Sequence, residues 1–324
     1  MEGVSSLMPT RNSAMRSQAA ALTVVVCTHD RPHYLRACLA SLVAEPGVAV
    51  PCRLVVVDSA SSAAASVEIA ALTAAHGGAL VRLDQPGLSL ARNAGLAAVE
   101  TPWLAYIDDD ARVAPDWCNA IGQAVARLSG RAAALGGPIV PDWEAPCPPW
   151  WPSDLVPVLT VLDWPRPGRV GDGSLPAHVE PYGANMVFRR DALRAVGGFP
   201  PQLGRVGTKL LSGEEAWVMR ALRQAGWDVY YDPAIVVTHC IQAVRLTPRW
   251  LLSRQFWSGA SEAMVARRLG ERVSFKALRM ALHAAVRAPL AVWPGGSPAL
   301  IRQRCALAFA SGYLRGVAAA LGGD

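Results

Sequence analysis

The 324-residue sequence has no Cys-x-x-Cys pair, although it contains seven cysteines. Because the cysteines are scattered, their spacing predicts neither a structural zinc site nor a disulfide framework. Thiols without a pairing pattern are typical of a reducing compartment, so we expect a cytoplasmic protein. No Gly-x-Gly-x-x-Gly follows the first apolar run, and no Gly-Lys-Ser or Gly-Lys-Thr loop occurs. These absences argue against a dinucleotide-binding dehydrogenase and against a P-loop enzyme.

Long apolar runs are also absent. The longest candidate, residues 305–321, is interrupted by Arg315, so no membrane-spanning helix is predicted. Residues 1–20 lack the apolar core of a signal peptide and are expected to form a disordered tail. Only 17% of residues are charged and 52% are hydrophobic, which excludes a disordered protein. The net charge of +6 is compatible with several anionic partners and selects none of them.

Strands and helices alternate in the first 110 residues. Apolar runs rich in β-branched residues cover 21–27, 53–58, 79–83 and 101–105, and helical patterns lie between them. This alternation predicts an α/β fold with a Rossmann-like, three-layer α/β/α, mostly parallel sheet. Ligands of such sheets bind at the carboxyl ends of the strands. A further strand is predicted over 133–140, followed by a long loop over 141–176 that is rich in proline and tryptophan.

Three consecutive carboxylates, Asp108, Asp109 and Asp110, follow the fourth predicted strand. Clustered like charges repel each other and require a compensating cation. Asp108 and Asp110 are two residues apart, so in an extended backbone they point to the same side and could hold Mg²⁺ or Mn²⁺. A solvated acidic turn is the alternative. Asp109 points to the other side, and we expect it to tolerate substitution best.

An acidic pair, Glu214-Glu215, opens a later predicted helix. Ser212 with Glu215 three residues on also fits a capping box, so Glu215 has a purely structural interpretation as well. Other polar residues at the predicted sheet edge have comparable alternatives. Asp58 could cap the helix that follows it, and His239, at the end of the last predicted strand, could be a structural histidine.

The ordered set of motifs resembles family 2 glycosyltransferases of the GT-A fold, in the nucleotide-diphospho-sugar transferase superfamily. The motifs lie at 24–30, 58, 87–95, 108–110, 183–190, 212–220 and 232–239. The resemblance covers about residues 21–260. It implies a GT-A catalytic domain over 21–245, followed by a helical C-terminal region over 246–324.

The resemblance also implies roles for individual residues. The metal, Mn²⁺ or Mg²⁺, would be held by Asp110 and Asp108, with His239 as a third ligand. Glu215 would be the general base, with Glu214 as the fallback because glutamate stands where aspartate is commoner in the family. The residues implied to contact the nucleotide sugar are Thr28, Asp30, Asp58, Arg92, Asn93, Asp108 and Asp109. Arg92 and Asn93 could instead be ordinary helix-surface residues.

The implied reaction is a metal-dependent, inverting transfer of a hexose or N-acetylhexosamine from a nucleotide sugar, UDP-linked, to a hydroxyl acceptor. The acceptor would be a glycan, a lipid carrier or a small natural product, and no nucleic acid is involved. Two alternatives are a non-catalytic nucleotide-sugar-binding protein and a sugar nucleotidyltransferase. The glycine- and lysine-rich phosphate loop of the latter is missing.

The C-terminal region carries a basic stripe at helical spacing, formed by Lys276, Arg279, His283 and Arg287. A basic amphipathic helix can lie on an anionic membrane surface. Peripheral contact with the inner face of the cell membrane is therefore one interpretation of these helices. A solvated face on a helix packed against the catalytic domain is the other.

Overall fold

Two β-sheets and the helices packed on them make up the chain over the ranges that the computed structural model describes, residues 22–42, 52–205, 207, 209–271 and 297–321. The strands are β1 (Leu22–Thr28), β2 (Arg53–Ser59), β3 (Ala79–Leu83), β4 (Trp103–Asp108), β5 (Ala111–Val113), β6 (Ala132–Gly136), β7 (Ile139–Trp143), β8 (Gly168–Arg169), β9 (Met186–Arg189), β10 (Asp228–Tyr231) and β11 (Val237–Ile241). The helices are α1 (Pro32–Leu42), α2 (Ala63–Ala75), α3 (Leu88–Ala98), α4 (Trp117–Arg127), α5 (Arg190–Ala195), α6 (Glu214–Gln224), α7 (Pro248–Arg268) and α8 (Pro298–Leu321), and short 3₁₀ helices cover Ser153–Leu159, Pro201–Leu203 and Ala243–Leu246.

The main sheet has the strand order β3-β2-β1-β4-β9-β6-β10-β8, and the smaller sheet has the order β5-β11-β7. Strands β3, β2, β1 and β4 run parallel to each other, as do β6 and β10. Strand β9 runs antiparallel between β4 and β6. The predicted mostly parallel α/β sheet is therefore confirmed, with its first four strands ending at one common edge.

Both faces of the main sheet are covered by helices, which explains the continuous apolar runs in its strands. Successive side chains of a strand point to opposite faces, so Val24 and Val26 belong to one hydrophobic core and Val25 to the other. The first core is completed by α1, α2 and α4 through Leu35, Ile69 and Ile121, and the second by α3, α5 and α6 through Ala91, Leu193 and Val218. The predicted three layers follow from this arrangement.

The strand predicted over 133–140 is wrong in one respect, because the structure divides it between the two sheets. Strand β6 ends at Gly136 in the main sheet, and β7 begins at Ile139 in the smaller one. Between them the backbone of Gly137 passes so close to other main chain that a Cβ there would lie 2.1 Å from the Ile235 carbonyl oxygen. Pro138 has no backbone N–H to donate to a ladder. The chain therefore leaves one sheet and enters the other.

The segment 141–176 is only partly the loop that we predict from its composition. It begins with the end of β7 and contains the 3₁₀ helix Ser153–Leu159. Trp151 is buried in a hydrophobic cluster with Leu159 and Ile241. Trp143, Trp150 and Trp164 are partly buried and pack against hydrophobic clusters. The tryptophans of this segment thus contribute to packing.

The C-terminal helices α7 and α8 pack tightly against each other. At Gly312 a Cβ would lie 1.7 Å from the Phe256 carbonyl oxygen, and at Gly259 it would lie 2.0 Å from that of Phe309. Glycine is required at both positions because the helix backbones touch there. The helical C-terminal appendage is therefore confirmed. The basic stripe of residues 276–287 and the tail 1–20 lie outside the described residues, and within the described ranges no helix combines the length and apolarity needed to cross a membrane.

Candidate active site

A cavity of about 700 Å³ opens at the carboxyl edge of strands β1, β2 and β4. Thr28, Ser59 and Asp108, at the ends of these three strands, contribute to its wall. The opposite wall is formed by the start of α6, by α7 and by the loop that follows the 3₁₀ helix Pro201–Leu203. A cavity of this size can enclose a ligand as large as a nucleotide sugar.

Asp108, Asp110 and His239 come together at this edge. One ligand atom from each residue lies within 4.8 Å of the other two. Asp108 ends β4, and Asp110 follows two residues later, immediately before β5. His239 lies on β11, where its backbone pairs with Ala111 of β5. The pairing of β5 with β11 therefore brings a histidine 129 residues away in sequence beside the aspartates.

Asp110 is the most strongly compensated of these groups. Its Oδ2 lies 3.0 Å from Nη1 of Arg31 and 3.1 Å from Nη2 of Arg245. Burial raises the pKa of Asp110, but His239, Arg245 and Arg31 outweigh this effect and hold the pKa well below its ordinary value. Asp110 is therefore a carboxylate at neutral pH, which is the form that binds a metal ion.

The geometry of His239 fits a cation. Its Nε2 lies 3.4 Å from Oδ1 of Asp110, and its buried Nδ1 has no hydrogen-bond partner among the described residues. This contact is attractive if Nε2 carries a proton or if a cation lies beside both atoms, and Nη1 of Arg245 lies 3.4 Å from Nε2. Two carboxylates and one imidazole suit Mn²⁺, and the carboxylates also suit Mg²⁺. The residues present thus fit the divalent metal that the resemblance implies.

Asp109 differs from our expectation for it. We expect the side chain to point away and to tolerate substitution, yet it is fully buried. Its Oδ2 accepts a hydrogen bond of 2.7 Å from Thr28 Oγ1, and its Oδ1 is ion-paired with Arg31. Burial raises the pKa of Asp109 to about 7 despite this pairing. A substitution would leave Arg31 and Thr28 without a buried partner, so the expectation of tolerance does not follow from the structure.

The acidic pair at the start of α6 faces the same cavity. Glu214 is fully buried and Glu215 is 22% exposed at its side chain. Arg92 of α3 lies 2.9 Å from Oε1 of each glutamate and 3.5 Å from Oδ1 of Asp108. The Gly183 N–H donates a 2.9 Å hydrogen bond to the other oxygen of Glu215. Arg92 therefore links the acidic pair to the aspartates and is no surface residue.

The two glutamates differ in charge and access. Burial, followed by the charge of Glu215, raises the pKa of Glu214 to about 7. Oε2 of Glu214 is buried and has no partner among the described residues. Glu215 is the more accessible of the two, and Gly183 fixes its orientation at close range, since a Cβ on Gly183 would lie 2.1 Å from Oε1 of Glu215.

The capping box that the sequence suggests at this helix is not formed. The residue before α6 is Gly213, and no side chain caps the helix. Ser212 Oγ instead accepts a hydrogen bond from Arg254, and the Ser212 N–H donates to Ser261 Oγ at 3.1 Å. The contacts of Ser212 with α7 take the place of the cap. The two side-chain oxygens of Glu215 contact Arg92 and the Gly183 N–H in the cavity wall.

Four predicted site residues lie outside the cavity wall, namely Asp109 and the three that follow, Asp58, Asp30 and Asn93. Asp58 is fully buried, and its oxygens bind Ser61 N at 3.0 Å, Ser66 Oγ at 2.7 Å and Arg82. Asp30 accepts hydrogen bonds of 2.8 and 2.7 Å from the N–H and Oγ of Ser62. The Asp30 bonds, both made by Oδ1, tie the loop after β1 to the loop after β2. The Asp58 bonds stay within the segment that follows β2 and reach β3 through Arg82, and they occupy both oxygens of Asp58.

Asn93 also acts on a loop. Its amide nitrogen donates to the Phe199 carbonyl at 2.7 Å, and its oxygen accepts from the Phe199 N–H at 2.8 Å. Asn93 therefore fixes the segment that leads to the 3₁₀ helix Pro201–Leu203 and is not placed in the cavity. Of the residues predicted from the sequence, the structure brings to the cavity wall Thr28, Arg92, Asp108, Asp110, Glu214, Glu215 and His239.

Sequence reasoning misses the other arginines of the cavity. Arg31 directly follows the loop after β1, so its proximity to the aspartates could have been inferred from the sheet edge. Arg245 is six residues beyond His239, on a 3₁₀ helix that returns it to Asp110. Arg205 and Arg254 also contribute to the wall, and no pattern in the sequence marks either of them.

Comparisons with known proteins match the chain to a family and to named relatives. A model of glycosyl transferase family 2 matches residues 23–197. The chain is 33% identical over 187 residues to a glucosyl-dolichyl phosphate glucuronosyltransferase of Haloferax volcanii, which covers 56% of each protein. It is 30% identical over 251 residues to the succinoglycan biosynthesis protein ExoM of Rhizobium meliloti, which covers 76% of this chain and 75% of that protein. The match therefore spans little more than half the length of the first relative.

Solved structures show the same fold. The mannosyltransferase PcManGT from Pyrobaculum calidifontis, in complex with GDP-Man and Mn²⁺, superposes with a TM-score of 0.56 at 20% identity over 94% of this chain and 76% of that one. GalNAc-T7 with UDP, GalNAc and Mn²⁺ gives a TM-score of 0.50 at 14% identity over 75% of this chain and 51% of that one. At these identities the likeness concerns the fold, which is the predicted GT-A fold.

Proposed function

Since the chain belongs to glycosyl transferase family 2 and is a glycosyltransferase, we propose that it catalyses a metal-dependent, inverting sugar transfer in this cavity. The donor is a nucleotide-linked hexose or N-acetylhexosamine, with UDP as the first nucleotide to test. The acceptor is a hydroxyl group of a glycan, a lipid carrier or a natural product. The family assignment favours this enzyme over the non-catalytic binding protein and the nucleotidyltransferase that the sequence left open.

One observation carries the proposal. The aspartate–histidine group and the accessible carboxylate of Glu215 line one cavity, and Arg92 lies between them with contacts to Asp108 and Glu215. Transfer from a nucleoside diphosphate sugar requires a cation near the leaving phosphate and a base near the attacking hydroxyl. In this proposal the two groups supply these functions side by side, since Nη2 of Arg92 contacts both Asp108 and Glu215.

We assign the metal to Asp110, Asp108 and His239, and Mn²⁺ or Mg²⁺ bound there would neutralise charge on the leaving diphosphate. Glu215 accepts the proton of the acceptor hydroxyl as that oxygen attacks the anomeric carbon. Arg92 and the Gly183 N–H hold this carboxylate in place. Inversion follows, because one base and direct displacement need no covalent intermediate.

Thr28 and Asp109 support the nucleotide side of the site in this proposal. Asp30, Asp58 and Asn93 act as positioning residues, because their side-chain atoms are bonded within the loops that border the cavity. Direct contact of Asp58 with the nucleobase would require those bonds to rearrange. Glu214 is a poorer candidate for the base than Glu215 because it is buried against Arg92.

A lipid-linked acceptor is supported by the name of the Haloferax relative, and a glycan acceptor by that of ExoM. We propose that residues 21–245 form the catalytic unit and that the helical region 246–324 borders the acceptor side. Peripheral membrane contact through that region, at a cytoplasmic surface, is a further proposal. Binding of the purified protein to anionic vesicles at low salt tests it, and an equal response to neutral vesicles contradicts it.

The site is tested by a thermal-shift panel of nucleoside diphosphates and nucleotide sugars, each with and without Mn²⁺. We expect one nucleotide to raise the melting temperature, and only when Mn²⁺ is present. Asp110→Asn should abolish this shift, since it removes a charged ligand. The matched control is Asp142→Asn, which alters a half-exposed aspartate paired with Arg112. A metal-independent shift, or no shift with any nucleotide, would overturn the proposal.

A further inference from the structure

Two arginines of the cavity wall differ from the other three. Arg31, Arg92 and Arg245 are each within 3.1 Å of a carboxylate oxygen. Arg205 and Arg254 line the same cavity, yet neither forms an ion pair with any described carboxylate. The Nε atoms of both are buried and lack a hydrogen-bond partner within the described part of the chain.

Arg254 is held in place through its side chain, and Arg205 through its backbone. Arg254, on α7, donates from Nη1 to the Leu210 carbonyl at 3.1 Å and to Ser212 Oγ. The backbone of Arg205 is anchored because its carbonyl accepts a 3.1 Å hydrogen bond from Leu88 N–H. A guanidinium has five N–H donors, so most of the donors on these two groups remain available.

The surroundings make this arrangement unfavourable without an anion. Burial, and then the positive charge of Arg205, lower the pKa of Arg254 to about 10, so it stays charged at neutral pH. Burial and the charge of Arg245 lower the pKa of Arg205. Both side chains are partly buried, and positive charge without a carboxylate partner is unfavourable there, so a site that keeps two such charges near each other is suited to a negatively charged ligand.

Neighbouring residues indicate which part of the reaction this ligand belongs to. Arg254 contacts Ser212, two residues before Glu214, and lies close enough to Tyr182 and Glu215 for their charges to interact. Gly183, next to Tyr182, donates to Glu215. Arg254 is therefore on the side of the proposed base, where the acceptor hydroxyl must lie. Arg205 is close enough to Arg245 and Asp108, as well as to Glu214 and Glu215, for their charges to interact, so it can reach a ligand on that side from the middle of the cavity wall.

We propose that Arg205 and Arg254 form an acceptor subsite for an oxyanion, a phosphate or a carboxylate carried by the acceptor near its reacting hydroxyl. This inference rests on the proposed function of the cavity. Planar guanidinium groups bind both kinds of oxyanion through paired N–H donors. The subsite would select anionic acceptors over neutral sugars of the same size.

Isothermal titration calorimetry tests the subsite. The protein is first saturated with Mn²⁺ and with the nucleoside diphosphate that the thermal-shift panel selects. The probes are glucose 1-phosphate, methyl β-D-glucuronide and, as the neutral control, methyl β-D-glucoside. Saturation with nucleotide keeps the probes from binding the metal. We expect an anionic probe to bind about tenfold or more tightly than the neutral one, as expected for charge-assisted hydrogen bonds. A preference for phosphate or for carboxylate identifies the source of the oxyanion.

Arg205→Gln and Arg254→Gln should each remove most of this advantage, and Arg254→Lys should retain part of it. Nucleotide affinity with Mn²⁺ should change by less than about threefold in all three variants, which is about 0.6 kcal/mol. Arg53→Gln, at an exposed arginine paired with Glu100, is the matched control and should leave probe binding unchanged. If Arg254→Gln does not fold, the result for Arg205→Gln decides whether the subsite exists. The Arg205 side chain makes no hydrogen bond to the described residues, so this variant should fold.

Three results would overturn the inference. The first is equal affinity for anionic and neutral probes. The second is a parallel loss of nucleotide affinity in the variants, which would assign the arginines to the donor diphosphate. The third is an effect confined to a nucleotide-linked uronate, which would assign them to the transferred sugar. In each case nucleotide binding by the unaltered protein is measured first, so a failure of the subsite is distinguishable from a failure of the proposed function.

Discussion

Two acidic clusters lie next to each other at the candidate active site, and their charges are compensated differently. The aspartate cluster consists of Asp109 and Asp110 with Arg31 and Arg245. The glutamate cluster consists of Asp108, Glu214 and Glu215 with Arg92. The first has two carboxylates and two guanidiniums in direct contact, whereas the second has three carboxylates on one guanidinium.

This difference explains where a divalent cation is needed. When all its groups are ionised, the glutamate cluster carries a local charge of −2, because one arginine serves three carboxylates. The raised pKa of Glu214 is one consequence of that excess. A metal at Asp108 would supply two positive charges, and Asp108 is the member of the cluster that also belongs to the group around His239. The cluster with excess negative charge therefore shares Asp108 with the proposed metal position.

The scaffolds of the clusters differ as well. The aspartate cluster is carried by β4 and the loops at neighbouring strand ends, which the sheet register fixes. In the glutamate cluster, Glu214 and Glu215 begin α6. Ser212, just before this helix, is held by Ser261 and Arg254 of α7, which lie outside the sheet. Substitutions in α7 and α8 should therefore affect the glutamate side first.

The largest expected effect is on the rate of transfer. Glu215→Gln removes the proposed base but keeps the size of the side chain, and its amide oxygen can still accept from one of the two donors, Arg92 or the Gly183 N–H. We expect kcat to fall roughly 10²–10⁴-fold, the usual contribution of general-base catalysis. Release of the nucleoside diphosphate measures the rate. Nucleotide binding with Mn²⁺ should be nearly unchanged.

Glu100→Gln is the matched control, since Glu100 is 84% exposed at its side chain. It should leave the rate unchanged. If Glu214→Gln reduced kcat as strongly as Glu215→Gln while folding normally, the base could not be assigned to Glu215. Equal rates for Glu215→Gln and the unaltered protein would remove the base from this cluster altogether.

The next largest effect is on stability. Arg92→Gln leaves three carboxylates without their shared cation, and loss of one partner from a buried ion pair costs roughly 3–5 kcal/mol. Arg31→Gln should cost less, because Arg31 is 35% exposed and Arg245 still compensates Asp110. Urea denaturation of the metal-free proteins compares the two. A larger loss for Arg31→Gln would contradict the charge comparison.

The pH dependence of stability separates the clusters further. The pKa of Glu214 is raised to about 7 in the folded protein, above its ordinary value of 4.5. Between these two values the folded state keeps a proton that the unfolded state has lost, so the free energy of unfolding falls as pH rises. For a fully buried group the decrease is on the order of 3 kcal/mol.

Denaturation of the metal-free protein between pH 5 and pH 7.5 measures this decrease. Glu214→Gln should flatten the profile, because the variant has no proton to lose at that position. The residual slope comes from Asp109, whose pKa is also raised to about 7 by burial. A profile that is the same in Glu214→Gln and the unaltered protein would show that Glu214 is already ionised in the folded state at pH 5.

The sequence was sufficient to predict the aspartate side. Asp108 and Asp110 follow a recognisable strand, so the rule that ligands gather at strand ends was enough to group these two. His239 was added to them by the family resemblance alone, and the strand end predicted at His239 is the middle of β11 in the structure. The main sheet was predictable for the same reason, since its strands are apolar on both faces. The division between β6 and β7 was not, because the Gly137 and Pro138 crossing depends on a contact with Ile235, about 100 residues away.

The sequence did not allow us to predict which arginines compensate which carboxylates. Arg92 was recognised as a site residue, but its sharing between three carboxylates depends on the meeting of α3, β4 and α6. The capping box at Ser212 was misassigned for the same reason, because contacts between distant parts of the chain cannot be read from a local pattern. The local pattern fits a helix cap, but α7 offers that residue Arg254 and Ser261 as partners instead. Long-range packing took precedence over the local preference.

The smallest expected effect tests the external support of the glutamate cluster. In Gly312→Ala the new Cβ would lie 1.7 Å from the Phe256 carbonyl, so α7 and α8 must separate. Such overpacking costs about 1–3 kcal/mol. Gly122→Ala in α4 is the matched control, because nothing lies within 4 Å of its Cβ, and it should be neutral or stabilising by about 0.5–1 kcal/mol. Thermal denaturation compares the variants.

Because α7 carries the contacts to Ser212, kcat should fall in Gly312→Ala, whereas Mn²⁺-dependent nucleotide binding at the aspartate side should be preserved. Loss of nucleotide binding with an unchanged rate would reverse the assignment of α7 to the glutamate side.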